Sequence, residues 1–275
     1  MVLCHLPKVV IRISSNDKSY LLSPPIICNS FPKSGTHLLL QIASALPRTH
    51  YFGAFLATMP SLTFARRAPK SMERRIQKLV PGEVVGAHLF FDNLIAQRLK
   101  KMNIAHFFIY RDPRDVVISE AYYLAHMNVW HRMHRYFSSL KKFDEQLMLA
   151  INGADQNCPF YYPNVGLRFE DYSGWLHNPD VFAMRYEDLM GDRREEIISK
   201  IVNFYACHSN SDLDFDERVL GRKVLNAINP EKSHTFREAK VGGWKNVFTP
   251  HHKDAFKAAA GDLLIRLGYE SGNNW

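Results

Sequence analysis

Four short apolar runs punctuate the chain, at Pro25–Asn29, Glu83–Leu89, Ile104–Tyr110 and Val181–Tyr186. Each is rich in apolar or aromatic residues, the pattern of parallel strands buried on both faces. Between them the apolar positions take helical spacing, over Gly35–Leu46, Asp92–Lys101, Pro113–His126 and Asp188–Tyr205, and again from Pro250 to Leu267. Pro113 suits the first turn of its helix, and Asp188 is placed to cap the next. The alternation predicts an α/β fold, a parallel sheet with helices on both faces. Residues 47–82 and 127–178 break it and are rich in Tyr, Phe, Trp, His and Met. They read either as insertions that build lids and a pocket over the scaffold, or as a helical satellite packed on the sheet. No repeat, low-complexity stretch or convincing linker divides the chain, so residues 1–275 are expected to form a single domain.

Composition narrows this. A chain of 275 residues with 46% hydrophobic and 23% charged residues can bury a substantial core. The net charge of +8 favours an anionic ligand. Its basic residues are dispersed, with only short clusters such as Arg66-Arg67, so nucleic acid is not the expected partner. No run approaches the roughly 18 apolar residues of a membrane span. Lys8 and Arg12 interrupt the first apolar stretch, which does not fit a signal peptide. The four cysteines, at positions 4, 28, 158 and 207, lack metal-type spacing. A cytoplasmic protein without a membrane partner is the expectation.

The segment Cys28-Asn29-Ser30-Phe31-Pro32-Lys33-Ser34-Gly35-Thr36-His37 joins the first strand to the first helix. Backbone N–H groups and the positive end of a helix favour a phosphate in such a turn. Lys33 adds a point charge, and Ser34, Thr36 and His37 add donors. It is not a Walker A loop, because the Lys precedes the Gly and no upstream Gly stands at the required distance. A second constellation, Tyr110-Arg111-Asp112-Pro113-Arg114-Asp115-Val116-Val117-Ile118-Ser119, also runs from strand end into helix. Arg111 leaves the strand at its carboxyl end, where open α/β sheets bind ligands, and its planar fork matches phosphate oxygens. The competing reading pairs Arg111 with Asp112 or Asp115. A third constellation is Phe236-Arg237-Glu238-Ala239-Lys240-Val241-Gly242-Gly243-Trp244-Lys245-Asn246-Val247-Phe248-Thr249.

Together these resemble the sulfotransferases that use 3'-phosphoadenosine 5'-phosphosulfate (PAPS). The Phe31–Thr36 phrase looks like the family's phosphosulfate loop. Arg111, with Ser119 eight positions on, looks like its 3'-phosphate motif. Arg237, Gly242, Trp244, Lys245, Phe248 and Thr249 fit its C-terminal motif, while Glu238, Ala239 and Gly243 depart from it. The resemblance covers most of the chain and implies a P-loop-nucleotide-kinase-like α/β fold. It also implies sulfuryl transfer from PAPS, with PAP as product and no metal, to a hydroxyl or amine of a small molecule. On it, PAPS is held by Lys33, Ser34, Gly35, Thr36, His37, Arg111, Ser119, Tyr186 and Arg237. Tyr186, in Tyr186-Glu187-Asp188, matches a family motif that supports the nucleotide site. Lys245, Thr249, Pro250 and Asp254 loosely resemble the family's dimer motif and imply a homodimer, although a strand-like pairing there loses an N–H at Pro250.

An acceptor must lose a proton, and His is the usual base near neutral pH. His88 ends the second strand, 23 residues before Arg111 and close to where the family's catalytic His stands. His88 and Lys33 are therefore the expected catalytic residues, with His37 bracing the loop and His106, within a strand, reading as core or edge. Two positions depart from many animal and plant members: Gly86 replaces a Lys two residues before the base, and Leu38 replaces a Trp that stacks on adenine. These departures suggest a stand-alone bacterial or natural-product branch, with a secondary metabolite as acceptor. The competing functions are a P-loop small-molecule kinase, which would need ATP and Mg²⁺, and a non-catalytic nucleotide-binding protein.

Overall fold

A computed structural model describes residues 6–209, 216–229 and 241–275. The chain falls into two compact units. The first takes the described residues within Met1–Thr58, Arg67–Tyr110 and Gly174–His234; the second takes those within Met59–Arg66, Arg111–Ser173 and Thr235–Trp275.

The first unit is built on five parallel strands, β1 (Ile26–Ser30), β2 (His50–Ala57), β3 (Glu83–His88), β4 (Ala105–Tyr110) and β5 (Val181–Arg185). Their spatial order is β2-β3-β1-β4-β5, so the direction of winding reverses at β1. The crevice beyond the carboxyl end of such a strand is where open α/β sheets take ligands. Its helices are α1 (Leu6–Ser14), α2 (Asp17–Leu22), α3 (Thr36–Ser44), α4 (Pro69–Ile76), α5 (Asn93–Lys101), α10 (Tyr186–Met190), α11 (Arg194–His208) and α12 (Glu217–Ala227). One sheet face, with Ile26, Cys28, Val84, Phe107 and Met184, packs on Leu39 and Ile42 of α3, Ile198 and Ile201 of α11, and Val224 of α12. The opposite face, with Ile27, Val85, Ala87 and Phe108, is equally closed to solvent. There His106 meets Trp175 edge to face, at 4.5 Å between ring centroids. Burial on both faces is why the strands β1, β3 and β4 read as unbroken apolar runs; β5, at the other edge of the sheet, is only partly buried.

The second unit is helical: α6 (Pro113–Tyr122), α7 (His134–Ser139), α8 (Phe143–Asn152), α9 (Val165–Ser173), α13 (Pro250–Ala260) and α14 (Leu263–Arg266). Asp112 caps α6 by accepting the Arg114 N–H at 2.9 Å, and Pro113 fills the first position.

The structure corrects several boundaries. Residues 47–82 are not wholly an insertion, because His50–Ala57 forms the edge strand β2. The run Asp188–Tyr205 is two helices, α10 and α11, broken at Gly191. Asp188 is not a cap: it pairs with Arg193 at 3.3 Å. The run Pro113–His126 ends as an α-helix at Tyr122 and continues as a π-type turn over Tyr123–Met127. The run from Pro250 is also two helices, broken at Gly261 with φ 56°. Pro250 opens α13, with the Thr249 hydroxyl as cap, so this segment is helical and not strand-like.

Candidate active site

In the first unit the chain leaves β1 at Ser30 and re-enters regular structure at Thr36. Two left-handed residues shape the loop between: Lys33 at φ 66° and Gly35 at φ 106°. The first costs about 1–2 kcal/mol for an L residue, strain of the kind held at functional turns. The Ser34 N–H bonds to Phe31 O at 3.1 Å, and Leu39 N to Gly35 O closes the first turn of α3. Gly35 has no side chain to cap that helix, so its leading N–H groups lack the usual side-chain acceptor. Ser34 is fully buried, and its Oγ has no hydrogen-bond partner among the described residues. A buried hydroxyl without a partner at an uncapped helix start is a site shaped for an anion.

Tyr186, the first residue of α10, supports this loop from beneath. A Cβ added to Gly35 would stand 2.7 Å from Tyr186 Cδ2. Gly35→Ala is therefore expected to combine left-handed strain with overpacking, costing about 3 kcal/mol in urea unfolding. A loss below about 1 kcal/mol would show that Tyr186 is not fixed there.

His88, at the end of β3, faces the same loop. Its Nδ1 lies 3.0 Å from Ser30 O and 3.3 Å from Ser30 Oγ. A carbonyl can only accept, so Nδ1 carries the proton and Nε2 is left as the basic nitrogen. Ser30 Oγ in turn lies 2.6 Å from Thr36 Oγ1. A hydroxyl chain thus ties the imidazole to the first residue of α3. Burial, helped by the charges of Lys33 and His37 and opposed by the bond to Ser30 O, lowers the His88 pKa to about 4. The ring is neutral at pH 7.

The two departures also have structural reasons. Leu38 is only 7% exposed and belongs to the core packed between α3 and the sheet. At Gly86 a Cβ would come within 2.8 Å of the Phe55 ring and 3.3 Å of Leu40 Cδ1. Phe55, on β2, is 46% exposed and stands edge-on to His88 at 4.9 Å between centroids. An aromatic ring thus lies where a residue-86 side chain would begin.

In the second unit, Arg111 precedes α6 and reaches Asp115 at 3.4 Å. The alternative acid, Asp112, is taken by Arg114, with contacts of 2.7 to 3.2 Å. Arg114 also pairs with Glu270 and lies against two indoles, 3.7 Å from the Trp244 ring and 4.6 Å from that of Trp275. Asp115 accepts the N–H of Gly242 at 2.8 Å and of Trp244 at 2.9 Å. Neighbouring residues of α6 therefore grip the Gly242–Asn246 turn by its backbone and by its indole. Ser119 follows Asp115 by four residues, on the same face of α6. Arg237 lies outside the described residues, so the C-terminal constellation is seen only from Val241 onward.

The sequence missed three residues here. Ser30 lay inside the quoted loop, but its link to His88 needs the β1–β3 pairing that sets Asn29 against Ala87. Asp115 stood only as a rival partner for Arg111. Phe55 lay in an edge strand read as an insertion. Among the described residues, no three His, Cys, Asp or Glu groups cluster as metal ligands, and no helix is long and apolar enough to cross a membrane.

A strand–loop–helix anion site at the reversal point of a parallel sheet, with a neutral imidazole beside it, defines a group-transfer scaffold. Residues 23–268 match the model of the sulfotransferase domain, and the chain belongs to that family and is a sulfotransferase. It is 23% identical over 271 residues to the flavonol 4'-sulfotransferase of Flaveria chlorifolia, covering 87% of this chain and 78% of the relative. It is 24% identical to the 3-alpha-hydroxysteroid sulfotransferase of Cavia porcellus, covering 93% and 88%. In fold it is similar to mouse sulfotransferase SULT7A1, solved with PAP, with TM-score 0.59 and 17% identity over 94% of this chain and 92% of that one. Retinol dehydratase, solved with retinol and PAP, matches with TM-score 0.58 and 16% identity over 94% and 86%.

Proposed function

We propose that this chain transfers a sulfuryl group from PAPS to a hydroxyl or amine of a small, ringed molecule. The observation that carries the reading is the hydrogen-bonded chain from His88 through Ser30 to Thr36, which ties a neutral base to an anion-binding loop. Nε2 of His88 takes the acceptor proton as the acceptor atom attacks sulfur. The bond from sulfur to the bridging oxygen breaks, and PAP leaves with the electron pair. Charge gathers on that oxygen in a loose transition state, where Lys33 and the N–H groups of the α3 start stabilise it. Ser34, Gly35, Thr36 and His37 hold the 5' end, Tyr186 supports their loop, and Arg111 and Ser119 hold the 3'-phosphate. Arg237 joins them on family resemblance alone. The half-exposed Phe55 ring beside His88 favours an acceptor with an aromatic or alicyclic ring, and the relatives named for flavonols and steroids agree with that choice.

The test is a thermal-shift series with PAP, ATP with Mg²⁺, and a short oligonucleotide, followed by an acceptor screen with PAPS and mass detection. PAP alone should raise the melting temperature. A larger shift with ATP and Mg²⁺ would overturn the reading.

Arg111→Ala and Ser119→Ala should weaken PAP binding but hardly change binding of AMP, which lacks the 3'-phosphate. For Arg111 the loss should reach about 2 kcal/mol, since a charge-assisted contact disappears. Calorimetry with both nucleotides decides it, and equal losses would assign both residues to the fold.

A further inference from the structure

A buried carboxylate beside a phosphate site is unfavourable unless its charge is used. Asp115 is 3% exposed, and burial raises its pKa against the opposing effect of Arg111. It nevertheless accepts three donors: Arg111 Nη2 and Gly242 N on Oδ2, and Trp244 N on Oδ1. Those donors come from the second and third constellations, the first of these being the one that resembles the family's 3'-phosphate motif. Gly242 sits at φ 72°, a left-handed conformation that points its N–H and that of Trp244 at one carboxylate. The Trp244 ring is held in turn against Arg114.

We propose that Asp115 is a positioning residue for the 3'-phosphate: it fixes the Arg111 guanidinium and the Gly242–Trp244 turn before nucleotide arrives. The proposal rests on the reading that Arg111 binds that phosphate. Two backbone N–H groups absorb much of the carboxylate's negative charge, so it orients Arg111 more than it repels the ligand. An arginine held in advance loses less side-chain freedom on binding, and that gain falls only on ligands that carry the 3'-phosphate.

Calorimetry of PAP and AMP on the wild-type chain and on Asp115→Asn tests this. In the variant an amide N–H₂ replaces one acceptor oxygen among three donors. Its PAP affinity should fall at least thirtyfold, with AMP affinity changing less than threefold. The ratio of the two affinities is the readout, because partial unfolding weakens both nucleotides by the same factor. If Asp115→Asn does not fold, Asp115→Glu keeps the charge but displaces it by one methylene, and should lower the same ratio about tenfold. An unchanged ratio in a folded variant would overturn the proposal, and selective tightening of PAP would show that Asp115 merely repels phosphate. Failure of the underlying reading looks different: the wild type itself would not prefer PAP to AMP, and the role of Asp115 would fall with it.

Discussion

Lys33→Ala is expected to lower turnover with PAPS by about a thousandfold, while PAP affinity falls by less than about tenfold. In the proposed function the ground-state nucleotide is already held by the N–H groups at the start of α3 and by the loop hydroxyls. The bridging oxygen becomes anionic only as its bond to sulfur breaks, and Lys33 is the loop's one cationic side chain at that point. No lysine at position 86 shares the task, since that residue is Gly. The backbone supplies a control. Lys33 is left-handed at φ 66°, so Lys33→Gly relieves strain while removing the charge. It should be at least as stable as the wild type and as inactive as Lys33→Ala. Equal losses in affinity and turnover, measured by calorimetry and single-turnover rates, would remove the transition-state role.

His88→Ala is expected to lower turnover on a hydroxyl acceptor by roughly two orders of magnitude or more, with little change in PAP affinity. A neutral imidazole adds little to an anion site. His88→Asn and His88→Gln keep a polar group without the base and should be nearly as poor. The pH dependence carries a sign and a range. Protonation removes the base, so kcat/KM falls as pH drops, and burial places that fall near the lowered value of about 4. The His88 contribution to kcat/KM should be flat from pH 8 down to about 6. A limb near 6.5 that disappears in the variant would mean that His88 is solvated in the free enzyme. An amine acceptor already neutral at assay pH softens the requirement, because its proton can leave after attack. Near-normal turnover of His88→Ala on a hydroxyl acceptor would sink the assignment and make His37 the next residue to test.

The sheet centre was legible because strands buried on both faces leave an unbroken apolar signature. Residues 26–30, 83–88 and 105–110 each stand within about one residue of that reading, and so does the partly buried edge strand at 181–185, whose Val181, Phe182 and Met184 still mark it. β2 was not legible because it is irregular as well as exposed. As an edge strand it is half exposed, it contains Gly53 at φ 76°, and its pairing with β3 slips between Tyr51 and Phe55. The loop from Ser30 to Thr36 could be placed between strand and helix because its residues are adjacent in sequence. The parts that needed pairing could not. Ser30 touches His88 across 58 positions, and Asp115 touches Trp244 across 129. Contacts that long depend on sheet register and helix placement, and neither leaves a local trace.

The Phe55 ring over Gly86 also constrains the order in which this site can change. Placing a lysine at position 86 by itself would bring its Cβ within 2.8 Å of the Phe55 ring. Shrinking Phe55 first opens the space and then accommodates the lysine, so the two substitutions are expected to be non-additive, and the order lysine-first carries an overpacking cost that the other order avoids. A change in the edge strand would therefore ease the entry of a second cation beside His88.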